Sequence, residues 1–137
     1  MRFLFIFTMG LFPLSALAVN DFYDCKQVAD TSVSWSPTGQ KYKADAEDSR
    51  ANGLLVKIVD LNTDLPKLAG QSVTGLRLIT RSDMYLGMLE ITPAGTLVTW
   101  TLFVANPEIG QPKTLLISSK SYEFMGPVNF TTLYECV

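Results

Sequence analysis

Residues 96–104, Thr-Leu-Val-Thr-Trp-Thr-Leu-Phe-Val, carry the clearest structural pattern in the sequence. Val98, Trp100, Leu102 and Val104 share one face of an extended chain, and the residues between them share the other. A period of two is that of a β-strand with one face against a core, so this stretch predicts a half-buried strand. Trp100 is expected to be a core residue of that strand.

Turn residues on both sides of this strand make it part of a meander. Residues 93–95, Pro-Ala-Gly, have the composition of a three-residue hairpin turn with the glycine in the left-handed conformation. Further short runs of alternating apolar residues follow the same plan, separated by turn residues. The clear strands are residues 54–60, 73–80, 84–92, 96–104, 113–124 and 128–136.

The pattern between residues 19 and 52 is weaker. Residues 22–28, 33–35 and 40–44 are weaker strand candidates. Residues 45–50, Asp-Ala-Glu-Asp-Ser-Arg, contain helix formers but are too few for an independent helix. This segment is therefore predicted to be a loop or a single helical turn.

Mainly β structure with short connections predicts a small antiparallel up-and-down meander. A sheet of this many strands tends to curl and close, because closure removes its exposed edges. The expected architecture is a closed barrel of about six to eight strands. A β-sandwich is the alternative.

The N-terminus has the three-part layout of a secretory signal peptide. Met1 and Arg2 give a basic start, an apolar run follows, and residues 16–18, Ala-Leu-Ala, provide small residues for cleavage. Removal of residues 1–18 would leave residues 19–137 as a single β domain. The apolar run is shorter than the roughly 20 residues of a membrane-spanning helix. We therefore expect an exported protein, periplasmic or extracellular, with no transmembrane segment after cleavage.

The two cysteines, Cys25 and Cys136, stand near the two ends of the expected mature chain. Export delivers a protein to an oxidising compartment, so a Cys25–Cys136 disulfide is predicted; two free buried thiols are the alternative. Neither cysteine belongs to a Cys-x-x-Cys pair, and the chain has no histidine to activate a thiolate. The cysteines are therefore interpreted as structural.

The absence of histidine excludes Ser-His-Asp and Cys-His catalysis and the usual zinc sites. Carboxylates are present, but no pair is singled out for glycosidase chemistry. Residues 60–64 have the oxygen spacing that opens a calcium loop, yet Leu65 and Gln71 stand where that loop needs glycine and glutamate. Residues 60–64 are therefore interpreted as a turn. We expect no enzyme activity, no cofactor and no metal site.

The charge of the chain argues against nucleic acids and anionic membrane surfaces as partners. The formal net charge is −2, with 11 basic and 13 acidic residues and no long block of either sign. Nucleic acids and anionic membrane surfaces both require a basic face. Neither is an expected partner.

Aromatic residues supply the remaining signal for function. In an exported, non-enzymatic domain they favour binding of a protein or envelope component through the loops and an aromatic edge. The candidate contact residues are Trp35, Tyr42, Tyr85 and Trp100. The alternative is a lipocalin-like carrier, because a barrel of about eight strands is either just filled by side chains or holds one small apolar ligand.

Overall fold

The computed structural model describes residues 19–36, 38–39, 41–69, 73–123 and 127–137. Within these residues the chain forms one antiparallel sheet of ten strands. The strands are β1 (Phe22–Ser36), β2 (Lys41–Asp48), β3 (Leu55–Val59), β4 (Lys67–Ala69), β5 (Val73–Gly75), β6 (Arg77–Arg81), β7 (Tyr85–Ile91), β8 (Leu97–Phe103), β9 (Thr114–Glu123) and β10 (Pro127–Cys136). The predicted signal peptide, residues 1–18, lies outside the described residues.

Nine strands follow one another around a nearly closed barrel in the order β5-β4-β3-β1-β10-β9-β8-β7-β6, and β2 pairs with β1 outside this path. The ends of the path approach each other. Leu76 N donates to Pro66 O (2.8 Å) and Leu78 N donates to Asp64 O (3.2 Å), which ties the start of β6 to the segment before β4. The predicted antiparallel barrel is confirmed, but its nearly closed wall has nine strands rather than the expected six to eight, and one further strand lies outside it.

The core lies inside this barrel. The alternation of residues 96–104 is confirmed, because Val98, Trp100, Leu102 and Val104 are all buried. They pack with buried residues from the neighbouring strands, and burial of this apolar surface is the main force that holds the sheet closed. The core cluster joins Val98, Trp100 and Leu102 to Tyr23, Cys25, Ile58, Leu61, Leu68, Leu76, Leu86, Met88, Leu116, Tyr134 and Cys136.

The hairpin between β7 and β8 forms as its sequence predicts. Gly95 has a φ of 81°, the left-handed conformation that glycine adopts without steric cost. Gly95 N donates to Thr92 O (2.8 Å), and Thr92 N donates to Thr96 O (2.9 Å). This turn fixes the register in which Met88 lies opposite Trp100.

The first and last strands pair with each other and carry the disulfide. Asp24 and Val137 exchange two backbone hydrogen bonds, of 3.0 and 2.9 Å. The next pair, Cys25 and Cys136, is therefore a closely spaced pair without such bonds, with 4.0 Å between the Cα atoms. The predicted Cys25–Cys136 disulfide is confirmed. It joins positions 111 residues apart, and the chain-entropy model assigns such a loop about 4–5 kcal/mol of stabilisation.

A β-bulge at Val28 divides β1 into two halves. The register with β10 shifts between Gln27 and Ala29, and the Val28 side chain is buried. Before the bulge, residues 22–26 pair with β3; after it, residues 29–36 pair with β2 along the same edge. Bulges bend a strand and increase its twist. The bulge is the point at which the hairpin of β1 and β2 leaves the barrel wall.

The prediction of a loop or helical turn at residues 45–50 is wrong for its first four residues. Asp45–Asp48 belong to β2, whose pairing with β1 runs from Lys41 opposite Ser36 to Asp48 opposite Ala29. A short segment takes its conformation from backbone pairing with a neighbouring strand, which here outweighs its local helix preference. The sequence also gave no signal for β4, which has only three residues.

Gly53 lies in the segment between β2 and β3, where its backbone packs directly against the backbone of β1 next to the bulge. A Cβ atom at this position would lie 2.0 Å from Gln27 O and 2.8 Å from Ser49 O. Both atoms belong to backbone that is held in place, since Gln27 N donates to Leu54 O (2.9 Å) and Ser49 N donates to Val28 O (3.0 Å). A side chain at residue 53 therefore requires the backbone to move.

Gly53→Ala is expected to lower the free energy of unfolding by about 1–3 kcal/mol, the cost typical of overpacking. Gly75→Ala is the matched control, because a Cβ atom there has nothing within 4 Å. The control is expected to change stability by less than about 1 kcal/mol. Urea denaturation of both variants measures this difference. Equal midpoints for the two variants would contradict the close approach at Gly53.

Candidate functional site

The hairpin of β1 and β2 is the most exposed part of the described sheet. All eight residues of β2 are exposed, and residues 29–36 of β1 pair with them. On its other side this half of β1 pairs with β10, from Leu133 to Val128. The hairpin is thus a β-ribbon that extends the sheet beyond the barrel, with β2 as its outermost strand.

The outer edge of β2 has no backbone partner among the described residues. Ser49 N donates to Val28 O, and hydrogen-bonded pairs recur at every second residue of an antiparallel ladder. The residues whose backbone groups point toward β1 are therefore Lys41, Lys43, Asp45 and Glu47. Those of Tyr42, Ala44, Ala46 and Asp48 point outward. β2 thus presents a row of free backbone donors and acceptors.

Two of the predicted contact residues, Trp35 and Tyr42, meet on the outer face of this hairpin. They are directly opposite in the β1–β2 register, with ring centroids 5.1 Å apart and ring planes at 67°. Tyr42 is 64% exposed, and Val33 beside the pair is also exposed. An edge-to-face contact of this kind adds stability beyond the area that it buries, so the pair is preorganised on the surface.

The other two predicted contact residues lie elsewhere. Tyr85 packs beside Phe103 on the outer face of the barrel wall, with 6.0 Å between the ring centroids. Trp100 is inside the barrel, where its Nε1 donates to Glu90 Oε2 (2.8 Å) and its ring lies 6.1 Å from that of Tyr134. The structure therefore brings Trp35 and Tyr42 together and places neither Tyr85 nor Trp100 near them.

A polar ladder that the sequence analysis missed continues the outer face of the hairpin across β10 and β9. Asn129 Nδ2 donates to Ser121 Oγ (2.8 Å), and Thr131 Oγ1 donates to Ser119 Oγ (3.3 Å). Next to this ladder lies a groove of about 620 Å³, which is lined by Ser119, Ser121 and the β7–β8 turn. Alternating Ser, Thr and Asn in residues 118–131 is the signal that could have predicted this face.

The opposite, inner face of the hairpin is fixed to the barrel by Asp30. Its Oδ2 accepts hydrogen bonds from Ser49 Oγ (2.7 Å) and Gln27 Nε2, and its Oδ1 accepts one from Thr132 Oγ1 (2.7 Å). These donors come from β1, from β10 and from the segment after β2. One carboxylate therefore joins the three chain segments that meet at the bulge.

Burial and hydrogen bonding act on the pKa of Asp30 in opposite directions. Loss of solvent raises it, whereas the hydrogen bonds from Ser49, Thr132 and Gln27 and the nearby charge of Lys120 lower it. The net effect is a pKa below the usual value, so the ionised form is favoured in the folded protein. For Tyr134, burial dominates and raises the pKa of the phenol.

The described residues contain no group of three or more His, Cys, Asp or Glu side chains arranged to hold a metal ion. They also contain no helix with the length and apolar character needed to cross a membrane. Comparisons with protein-family models, with known proteins and with solved structures found no match to the chain.

Asp30→Asn is expected to destabilise the protein at pH 7 by about 1–3 kcal/mol, because three partly buried donors lose a charged acceptor. The pKa of Asp30 is lowered on folding, so its stabilisation is full above the unfolded value of about 3.9 and is lost as the pH falls through the folded value. The difference from the wild-type protein is therefore expected to shrink below about pH 4.

Urea denaturation across this pH range provides the measurement. Asp45→Asn is the control, because its carboxylate is exposed on the same face of the hairpin, 3.0 Å from Lys43 Nζ. The control is expected to change stability by no more than about 1 kcal/mol at any pH. A difference between Asp30→Asn and the wild-type protein that stays constant with pH would contradict the assigned role.

Proposed function

We propose that this protein is an exported, non-enzymatic binding domain that recognises a protein or envelope component through the outer face of the β1–β2 hairpin. The observation that carries the proposal is the Trp35–Tyr42 pair, held edge to face on a ribbon whose β2 residues are all exposed. The hairpin is the described region where aromatic exposure and a free strand edge coincide.

Physical properties of this surface favour a protein partner. Tryptophan and tyrosine are enriched among the residues that dominate binding energy, because they bury a large area and lose little conformational entropy. A free strand edge can add an extended segment of a partner, whose main chain supplies hydrogen bonds. On the same outer face, Asn129 and Thr131 continue the surface of the hairpin with polar side chains that are held in place by hydrogen bonds to Ser121 and Ser119.

The disulfide supports export of the protein to an oxidising compartment. A Cys25–Cys136 bond that closes nearly the whole described chain is typical of an oxidising environment and suggests export. Export places the hairpin where secreted or envelope proteins are its available partners.

The carrier alternative receives less support from the interior. Large side chains, including Trp100, Leu102 and Tyr134, are buried together where an internal ligand would have to sit. The indole nitrogen of Trp100 is already bonded to Glu90. A barrel of this size is either filled by its side chains or holds a small ligand, and these contacts favour the filled form.

The test is capture of a partner by the immobilised, exported protein from the compartment into which it is secreted. Trp35→Ala and Tyr42→Ala are expected to weaken capture by about 30-fold or more, the effect of losing an interface residue worth about 2 kcal/mol. Phe22→Ala is the matched control, because Phe22 is an exposed aromatic residue on the other half of β1. It is expected to retain capture.

Two results would contradict the proposal. One is equal capture by all three variants, once their unfolding midpoints show that each is folded. The other is a small-molecule mass that accompanies the exported protein in native mass spectrometry, which would favour the carrier alternative.

A further inference from the structure

The charged residues of β2 are ordered along one face. Lys41, Lys43, Asp45 and Glu47 alternate with the outer-face residues, so all four project from the inner face of the hairpin. The two basic residues precede the two acidic ones. A strand with this order is complementary in charge to an antiparallel copy of itself.

We propose that a second copy of this chain adds to the outer edge of β2, so that two β2 strands pair antiparallel about a twofold axis at Ala44. The two sheets would then continue into each other across the interface. The association goes beyond the partner proposed above, because it rests on the inner-face charges of β2, whereas the partner contact rests on the aromatic outer face. A partner that adds a strand to the same edge of β2 would compete with the second copy.

The backbone allows this register. Tyr42, Ala44 and Ala46 point their backbone groups away from β1, as the hydrogen bond from Ser49 N to Val28 O establishes. Pairing about Ala44 places Ala44 opposite Ala44 and Tyr42 opposite Ala46 of the second copy, so outward groups meet outward groups. A slip of one residue would set outward groups against inward ones and exchange the two faces.

The charges select this register over its neighbours. Pairing about Ala44 places Lys41 opposite Glu47 and Lys43 opposite Asp45 in both halves of the interface. These are the closely spaced pairs without backbone bonds, where side chains interact most. A shift of two residues in one direction would place Asp45 opposite Asp45, and in the other direction Lys43 opposite Lys43. Both shifts replace attraction with repulsion at the centre.

The free strand already shows this attraction between neighbours on one face. Lys43 Nζ lies 3.0 Å from Asp45 Oδ2, and both side chains are more than half exposed. In the paired form each would also face an opposite charge on the second copy. The same charges disfavour addition of strands that are not complementary, which is how exposed strand edges are commonly protected from unspecific pairing.

The outer face fits the pairing as well. Tyr42 would lie over Ala46 of the second copy, with Ala44 of both copies between the two tyrosines, so no large side chain opposes another. From strand geometry, the two Tyr42 residues would stand about 14 Å apart on one continuous face, each with its Trp35 on the side away from the interface. A contact limited to one strand edge is small, so we expect a dimer that dissociates on dilution and weakens as salt increases.

Sedimentation velocity of the exported protein over a range of concentrations tests the proposal. The wild-type protein is expected to shift from monomer to dimer as concentration rises. Lys41→Glu with Lys43→Glu makes the inner face of β2 wholly acidic, and Asp45→Lys with Glu47→Lys makes it wholly basic. Each double variant alone is expected to dimerise at least about tenfold more weakly. An equimolar mixture of the two is expected to recover a mixed dimer.

The quadruple variant that combines all four substitutions is the matched control. It reverses the order of the charges, keeps the net charge of the strand and restores complementarity about Ala44, so it is expected to dimerise like the wild-type protein. Because all four side chains are exposed, circular dichroism is expected to show the same fold in every variant. A wild-type protein that stays monomeric at every concentration would overturn the proposal. So would double variants that dimerise as strongly as the wild-type protein, or a mixture that fails to form the mixed dimer.

Discussion

The first strand of the barrel pairs with the last, and this pairing positions both the barrel wall and the β1–β2 hairpin. β1 and β10 lie side by side from Cys25 opposite Cys136 to Ser34 opposite Val128, and the disulfide locks one end of the ladder. Because these strands are at opposite ends of the domain, their pairing closes the meander on itself. β1 is paired along both of its edges. One edge pairs with β10, and the other pairs first with β3 and then with β2.

The edge of β1 that faces away from β10 changes partner at Val28, from β3 to β2. This change explains why the β1–β2 hairpin projects from the barrel. At Val28 the extra residue bends β1, and the chain after β2 returns over the bulge through Gly53. The Asp30 carboxylate accepts hydrogen bonds from three segments at this point. Burial raises its pKa, but these hydrogen bonds and the charge of Lys120 lower the pKa below its usual value. The hairpin is thereby held at a defined position relative to the barrel while its outer strand stays exposed. A surface of this kind combines a rigid base with free backbone groups, which suits recognition of another chain.

Sequence reasoning predicted the parts of the fold that local pattern determines. The alternation of Val98, Trp100 and Leu102, the turn at Gly95 and the disulfide each follow from a few neighbouring residues or from composition. It did not predict that Asp45–Asp48 form a strand, because that conformation comes from pairing with β1. For the same reason Trp35 and Tyr42 could be named as candidates but not placed together, since only the β1–β2 register sets them opposite each other. The bulge at Val28 could not be predicted from the alternation of apolar residues. Its backbone bonds to distant positions, since Ser49 N donates to Val28 O and Gln27 N donates to Leu54 O.

Amide hydrogen exchange of the protein in dilute solution shows whether β2 is paired on one side and open on the other. The amides of Lys43, Asp45 and Glu47 should exchange slowly, because they point toward β1, whereas those of Tyr42, Ala44 and Ala46 should exchange at rates close to those of an unprotected chain. Slow exchange at all six amides would show that the outer edge is covered within one copy of the protein. Fast exchange at all six would show that β2 does not pair stably with β1. Either result would contradict the account.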